Sequence, residues 1–256
     1  MNKPLDGARL KVVRAQEHLD SLKAEIRMYL GSDPYEFPIE QQGNRWTTKV
    51  VTGEPPIRLS TIVGDCVGNA RAALDYIVWQ LAVKYLSDPP LGVEEDTWLS
   101  FPIYRDPTDL GYVNKINRFT NRKIPALAIA EINATQPHNA GYEPLWWLHE
   151  LVNRDKHRLP LLTRVHAHFT DIEIVKRIGG VGTSLASATG ATSLSWHDAS
   201  FPAEGPRSGD KMEVYGQATG FVALQDVSMP REPVDRTLEQ IVECVATVVE
   251  RFDRFF

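Results

Sequence analysis

The sequence predicts an α+β protein that is mainly helical, with a bundle of long helices and a small antiparallel β-sheet. Three long segments repeat apolar residues at intervals of three and four, which is the period of an amphipathic helix. Shorter segments alternate apolar and polar residues, as strands with one buried face do. The chain has 256 residues, of which 43% are hydrophobic, so it can bury a substantial core.

The first long helix is predicted from residue 6 to residue 30. Its apolar residues recur at steps of four, three, four and three and therefore share one face: Ala15, Leu19, Leu22, Ile26 and Tyr29. Gly31 suits the position after a helix, and Pro34 cannot continue one. Two strands are predicted next, near residues 35–41 and 45–52, joined by a glycine-containing turn.

The second long helix is predicted over residues 60–86. Gly64 and Gly68 cost helix propensity of roughly 1 kcal/mol each, so their spacing of four predicts the close approach of another helix. Arg71 and Asp75 are also four apart and are expected to form an intrahelical ion pair. The apolar stripe comprises Ile62, Val67, Ala70, Leu74, Ile77, Val78 and Leu81.

The remaining elements are shorter. Pro102 excludes a central strand over residues 98–104, so that segment is predicted to be extended. Helices are then expected at 109–119, 125–132 and 144–158, strands at 161–169, 171–176, 211–215 and 220–225, and a closing helix at 233–256. We expect a helical bundle with a short hairpin over residues 1–160. Residues 161–256 are expected to form a β-region whose closing helix packs on that bundle, the whole forming one compact unit.

Composition restricts the class of protein. The chain carries 28 Lys and Arg against 33 Asp and Glu, and this acidic balance disfavours a protein that coats nucleic acid with its whole surface. Two cysteines exclude a disulfide-rich secreted module, and Cys66 and Cys244 are predicted to be buried free thiols. Without a secretory signal or a membrane-spanning run, we expect a cytoplasmic protein with no membrane association. No standard cofactor motif is present, so no cofactor is expected.

The densest polar cluster is Asn153–Arg158, at the end of the predicted helix 144–158. His149, Asn153 and His157 are four residues apart and share one helical face. Two imidazoles and an amide on one face can supply a general base and a positioning group. The cluster also has a structural explanation, because cations in the last turn offset the negative end of the helix macrodipole.

Two further patterns are weak. His166 and His168 would project to the same face of a strand, as a pair of metal ligands must, but we expect them to face solvent. Gly179–Ser184 resembles a phosphate-binding loop but lacks the lysine of the P-loop motif. The sequence therefore predicts no metal site, and a hairpin loop at residues 179–184.

Two motifs resemble those of known families. The helix motif Gly64-Asp65…Asn69-x-Arg71-x-Ala73-Leu74-Asp75-Tyr76 and the helix end Asn153-x-Asp155-Lys156-His157-Arg158 resemble a group of uncharacterised bacterial proteins. More distantly, the helices resemble HEPN domains, which are helical bundles. Many of these are metal-independent ribonucleases whose R-x-x-x-x-H motifs meet across a dimer interface. Here Arg71 matches the arginine of that motif, but Tyr76 stands in place of the histidine. The resemblance implies RNA and a second copy of the chain as partners.

The candidate residues follow from these patterns. The catalytic candidates are Arg71, Asn153, Asp155 and His157. Residues 110–168 are basic and histidine-rich, with eight Lys or Arg against four Asp or Glu and five of the seven histidines. The RNA-binding candidates are Lys115, Arg118, Arg122, Lys123, Lys156 and Arg158, and Phe119 among them can stack a base.

The sequence therefore predicts a HEPN-like protein that binds RNA or cleaves it as a metal-independent endoribonuclease. The replacement of the motif histidine by Tyr76 puts cleavage in doubt, because an ordinary phenol is a poor general base at neutral pH. The alternative is a non-catalytic interaction or accessory protein. In that case Asn153 and Asp155 form a buried structural network with donors such as Arg71.

Overall fold

The computed structural model describes residues 3–32, 35–36, 39–42, 45–48, 51–86, 99–157, 163–178, 181–188, 199–202, 211–224, 230 and 232–256. Contacts divide the chain into two compact units, each made of segments that are distant in sequence. The helical unit comprises Met1–Ala24, Ile57–Leu162 and Leu224–Phe256, and the β unit comprises Glu25–Pro56 and Thr163–Ala223. The closing helix therefore belongs with the helical unit, and the first hairpin belongs with the later strands.

The predicted helices are present, and the mainly helical α+β class is confirmed. Each helix begins and ends within a few residues of its predicted bounds. The six α-helices of the described chain are α1 (Asp6–Gly31), α2 (Ile57–Tyr85), α3 (Leu110–Asn121), α4 (Ala126–Ala134), α5 (Glu143–His157) and α6 (Val234–Phe252). A short 3-10 turn, Asp253–Phe255, follows α6.

The core of the helical unit is built around α2, which packs against both α5 and α6. The predicted apolar stripe of α2 is buried along its length, as is the apolar face of α6. Phe101 and Phe252 lie almost completely out of solvent, and their rings meet edge to face with centroids 6.2 Å apart. Phe101 thereby anchors the extended segment 99–104 in this core.

Helix α1 buries the face that its sequence predicts: Ala15, Leu19, Leu22, Ile26 and Tyr29. It contacts α2 through its backbone: the Cys66 thiol of α2 lies 3.3 Å from the carbonyl oxygen of Ala15. Ion pairs join Arg9 to Asp253 and Lys23 to Glu239. The N-terminal part of α1 is thus held by apolar burial against α2 and by charge pairs with the C-terminal region.

Helix α3 has defined signals at both ends. The Asp109 carboxylate accepts hydrogen bonds from the backbone N–H groups of Gly111 and Tyr112, at 2.7 and 3.3 Å, and so caps the first turn. Beyond the last turn, Lys123 has a φ of 61°, in the left-handed region where glycine is usual. Its N–H donates to the carbonyl of Thr120 at 3.0 Å, which closes the helix.

The strands form three small sheets. The strands are β1 (Tyr35–Glu36), β2 (Ile39–Gln42), β3 (Arg45–Thr48), β4 (Val51–Thr52), β5 (Thr163–Ile178), β6 (Val181–Ala188), β7 (Ala199–Pro202) and β8 (Lys211–Leu224). Their orders are β1-β4, β2-β3-β7 and β6-β5-β8. The pairs β2–β3 and β5–β6 are antiparallel hairpins, as expected, but the strands form three small sheets and not the single one predicted.

Strands β5 and β8 are longer than predicted, whereas the strands predicted at 35–41 and 45–52 are described as four short ones, β1 to β4. Strand β5 joins the two strands predicted at 161–169 and 171–176, and β8 likewise runs through the gap predicted after residue 215. The prediction of a hairpin loop at Gly179–Ser184 is wrong for the residues from Val181 onward, because they begin β6 and pair with β5. Small polar residues have weak strand propensity alone, and here the ladder to β5 supplies the stabilisation.

Two further expectations concern membranes and cysteines. Among the described helices, none is both long and apolar enough to cross a membrane. Cys66 and Cys244 are buried and free, as predicted. Burial raises the pKa of each thiol to about 12, so neither forms the reactive thiolate at neutral pH.

Candidate nucleic-acid interface

Arg71 and Asp75 together hold the backbone of Phe101. The predicted ion pair is confirmed, with Nη2 of Arg71 2.9 Å from a carboxylate oxygen of Asp75. The same Nη2 donates to the Phe101 carbonyl oxygen at 2.7 Å, and the Phe101 N–H donates to Asp75 at 2.8 Å. Both polar groups of this residue are thereby satisfied without a strand partner. The extended segment is fixed to α2.

Gln136 fixes the other end of that segment. Its side chain is fully buried, and its amide nitrogen donates to the carbonyl oxygens of Pro102 and Ile132 at 3.0 and 2.9 Å. Its amide oxygen accepts from the Tyr104 N–H at 3.1 Å. A buried amide with this many partners is rigid, so residues 101–104 form a preorganised wall.

A cavity of about 340 Å³ lies beside this wall, a size within the range of roughly 300–1,000 Å³ typical of small-ligand pockets. We call it the cationic pocket, because Arg71 of α2, Lys115 of α3 and His149 of α5 all line it. Tyr104 and Trp146 add aromatic surface. The remaining described lining residues are Ser100, Phe101, Pro102, Ile103 and Asp109.

Lys115 is partly buried in the cationic pocket. Its ammonium donates to the Ser100 hydroxyl at 2.9 Å and lies 5.8 Å from the centre of the Phe119 ring. Burial, and then the charge of Arg71, lower its pKa to about 8. At neutral pH Lys115 is therefore a cation whose proton is weakly held.

His149 is held in one orientation. Its ring stacks on Trp146, with centroids 5.2 Å apart, and its Nε2 lies 2.9 Å from the amide nitrogen of Asn153. An amide nitrogen can only donate, so this contact is a hydrogen bond when the ring is neutral with its proton on Nδ1. Burial, and then the charge of Arg71, lower the pKa of His149, which favours the same neutral form.

The catalytic candidates do not form one cluster. Arg71 lines the cationic pocket, and Asn153 reaches it through His149. Asp155 instead lies against Gly64 and lines a different cavity of about 430 Å³. The side chain of His157 lies outside the described residues.

The structure describes only part of the network in the alternative hypothesis, since the side chains of His157 and Arg158 lie outside the described residues. Asn153 and Asp155 are exposed, as is Lys156. The carboxylate that pairs with Arg71 is that of Asp75 on the same helix. The described partner of Asn153 is His149, and Asp155 lies against Gly64 of α2.

The RNA-binding candidates also lie at more than one place on the helical unit. Lys115 lines the cationic pocket and also a neighbouring cavity of about 400 Å³ on α3, which Arg118 lines as well. Arg122 and Lys123 are exposed beyond the end of α3, outside the described lining of both cavities. Arg158 lies outside the described residues.

Sequence reasoning did not name every residue of the pocket as a site residue. His149 was recognised as part of a polar helical face with Asn153 but not listed as a catalytic candidate, and Trp146 was not singled out. The available signal was the spacing along α5, where Trp146, His149 and Asn153 follow one another at steps of three and four. Ser100 gave no signal, since its contact with Lys115 depends on tertiary packing.

Replacing each of two glycines of α2 with alanine is expected to change stability differently. An ideal Cβ at Gly64 would lie 2.6 Å from Oδ1 of Asp155 on α5, whereas one at Gly68 would meet nothing within 4 Å. We expect Gly68→Ala to raise the free energy of unfolding by about 0.5–1 kcal/mol through helix propensity. Gly64→Ala should show no gain or a loss, measured by urea denaturation.

The matched control is the double variant Gly64→Ala/Asp155→Ala, compared with Asp155→Ala alone. Without the Asp155 carboxylate, Gly64→Ala should stabilise the chain as alanine normally does in a helix. The two substitutions are coupled because the side chains would otherwise collide. If Gly64→Ala and Gly68→Ala raised the free energy of unfolding equally with Asp155 present, the result would contradict the close approach of α5 to α2.

Within the part of the chain whose side chains the structure describes, no group of three or more His, Cys, Asp or Glu is arranged to hold a metal ion. The charged lining residues of the cationic pocket are two cations, Arg71 and Lys115, and one carboxylate, Asp109, so the net positive charge suits an anion.

No family model, no curated protein and no solved structure matches this chain. Function therefore has to be inferred from the chemistry of the site itself.

Proposed function

We propose that the helical unit binds single-stranded RNA at the cationic pocket and does not cleave it. The observation that carries this proposal is the convergence of Arg71, Lys115 and His149 with Trp146 in one cavity. Cations bind the phosphate backbone, and aromatic rings stack bases without requiring a particular sequence. Single-stranded RNA is the ligand that presents both groups side by side.

Donors remain for a phosphate group. Arg71 uses Nε and Nη2 in contacts with Asp75 and Phe101, and no described residue accepts a hydrogen bond from its Nη1. The ammonium of Lys115 has three donors, of which one reaches Ser100. The guanidinium of Arg105 lies 5.2 Å from the centre of the Trp146 ring. Arg105 is exposed, so an incoming base can displace it.

Two features argue against cleavage. The Nε2 atom of His149, which a general base would need, already accepts a hydrogen bond from Asn153. Tyr76, at the position of the HEPN histidine, packs against Gly7 of α1 and is not among the described lining residues of the pocket. The pocket thus has groups to hold RNA, and its histidine is already engaged with Asn153.

The test is fluorescence anisotropy with labelled single-stranded RNA in EDTA, followed by a denaturing gel. We expect binding that weakens as salt rises, because phosphate contacts release counterions, and RNA that is recovered intact. The variant Lys115→Ala should weaken binding, with Lys11→Ala as the matched control outside the pocket. Absence of salt-sensitive binding would refute the proposal, and cleavage lost in His149→Ala would replace it with ribonuclease activity.

RNA affinity is expected to fall as the pH rises from about 7 to about 9. Lys115, with its pKa of about 8, loses its charge in this interval, so one phosphate contact weakens by roughly fivefold. The charged groups acting on Lys115 are Arg71, Asp75 and Arg118. Anisotropy across this pH range measures the effect.

Lys115→Arg provides the control for this prediction. Arginine keeps its charge throughout the range, so its affinity should be nearly independent of pH. A wild-type affinity that does not change with pH would show that Lys115 makes no phosphate contact.

Two earlier expectations stay predictions: the cytoplasmic location, and the homodimer that the HEPN resemblance implies. Light scattering of the purified chain tests the homodimer.

A further inference from the structure

The second cavity on α3 is lined by an unusual set of polar side chains. We call it the amide groove, because Asn114, Asn117 and Asn121 line it together with Gly111, Lys115 and Arg118. The three asparagines are exposed. Positions 114, 117 and 121 lie within one stripe of the helix surface, since they are separated by three and four residues.

The amides of these asparagines have no hydrogen-bond partner among the described residues. In contrast, the other asparagines of the described chain all use their side chains: Asn69, Asn133, Asn139 and Asn153. Asparagine is also a weak helix former, because its side chain competes for backbone hydrogen bonds. Three of them in a helix of 12 residues, without a structural contact in return, indicate a functional reason.

The amide groove adjoins the cationic pocket. Lys115 lines both cavities. In addition, an ideal Cβ at Gly111 in the groove would lie 3.1 Å from the hydroxyl of Tyr104 in the pocket. A strand whose phosphate is bound at Lys115 can therefore continue along α3, where Arg118 offers a second cation.

We propose that the amide groove reads the bases of the bound RNA and favours adenine. This inference rests on the proposed function. An asparagine amide presents an acceptor beside a donor, and it matches the adjacent N6 donor and N7 acceptor of adenine. The stripe from Asn114 to Asn121 extends about 10 Å along the helix, roughly the length of three stacked nucleotides. Lys115 and Arg118 bind phosphates, and the amides supply the selectivity.

The experiment compares oligo(A), oligo(U) and oligo(C) of equal length by anisotropy, using the wild-type chain and the triple variant Asn114→Ala/Asn117→Ala/Asn121→Ala. Alanine is the best helix former, so this variant should fold, and circular dichroism checks that it does. We expect the wild type to bind oligo(A) at least about fivefold more tightly than the pyrimidine oligomers. The triple variant should lose that preference and keep its affinity for oligo(U).

Thr120→Ala, at an exposed position of the same helix outside the described lining of the amide groove, is the matched control and should keep the preference. A wild type that binds all three oligomers equally, or a triple variant that still prefers oligo(A), would overturn the base-reading inference and leave the proposed function standing. Absence of binding to every oligomer would overturn both.

Discussion

Replacing Arg71 with alanine is expected to weaken RNA binding by roughly tenfold or more. Charge-assisted hydrogen bonds are worth about 1.5–3 kcal/mol each, and Arg71 is held in a fixed direction by two partners, Asp75 and the Phe101 carbonyl. A guanidinium that is oriented in advance loses little entropy when it binds a phosphate. Anisotropy with single-stranded RNA at constant salt measures the loss.

The same substitution should also lower stability. Without Arg71, the Phe101 carbonyl oxygen loses its donor and Asp75 loses its cation. Loss of a partner for a buried polar group costs about 1–3 kcal/mol, and urea denaturation measures this cost. The half-exposed carboxylate of Asp75 can recover water, so we expect the lower part of that range.

Two further variants separate the binding role of Arg71 from its structural role. Arg71→Lys keeps the charge but lacks the planar fork, so it should recover part of the RNA affinity and little of the stability. Arg14→Ala removes an exposed arginine that pairs with Glu17 on α1 and should change neither. If Arg71→Ala lost stability while RNA affinity remained at the wild-type value, Arg71 would be a structural residue only.

Replacing Phe252 with alanine is expected to lower the free energy of unfolding by about 3–5 kcal/mol. The side chain is fully buried and contacts the rings of Phe101 and Phe255. Alanine removes the ring and leaves a cavity that the surrounding helices can fill only in part. Because domains are stable by only about 5–15 kcal/mol, this loss is a large share of the total stability.

The measurement is urea denaturation followed by circular dichroism, with Phe252→Leu and Leu127→Ala as companions. Phe252→Leu keeps much of the buried volume and should be less damaging. Leu127 is 74% exposed, and its replacement should change stability by less than about 0.5 kcal/mol. Similar losses for Phe252→Ala and Leu127→Ala would contradict the position of Phe252 in the core.

The helices were predictable because each of their signals is local. The apolar stripe of α2, the stop after α1 and the pairing of Arg71 with Asp75 depend on residues within a few positions of one another. The strands were less predictable. Val181–Ala188 is a strand through its pairing with β5, and a run of small polar residues shows little preference for a strand until such a partner is present.

The amino-acid sequence by itself determined which residues form helices, which face of each helix is apolar, and that the middle of the chain is basic and rich in histidine. Tertiary structure alone decided that Arg71, Lys115 and His149 meet in one pocket, and that Asp155 lies elsewhere, against Gly64. The physical reason is that periodicity is a property of neighbours along the chain. Which helices pack together, and which residues along them face one another, depends instead on how side chains pack between segments far apart in sequence.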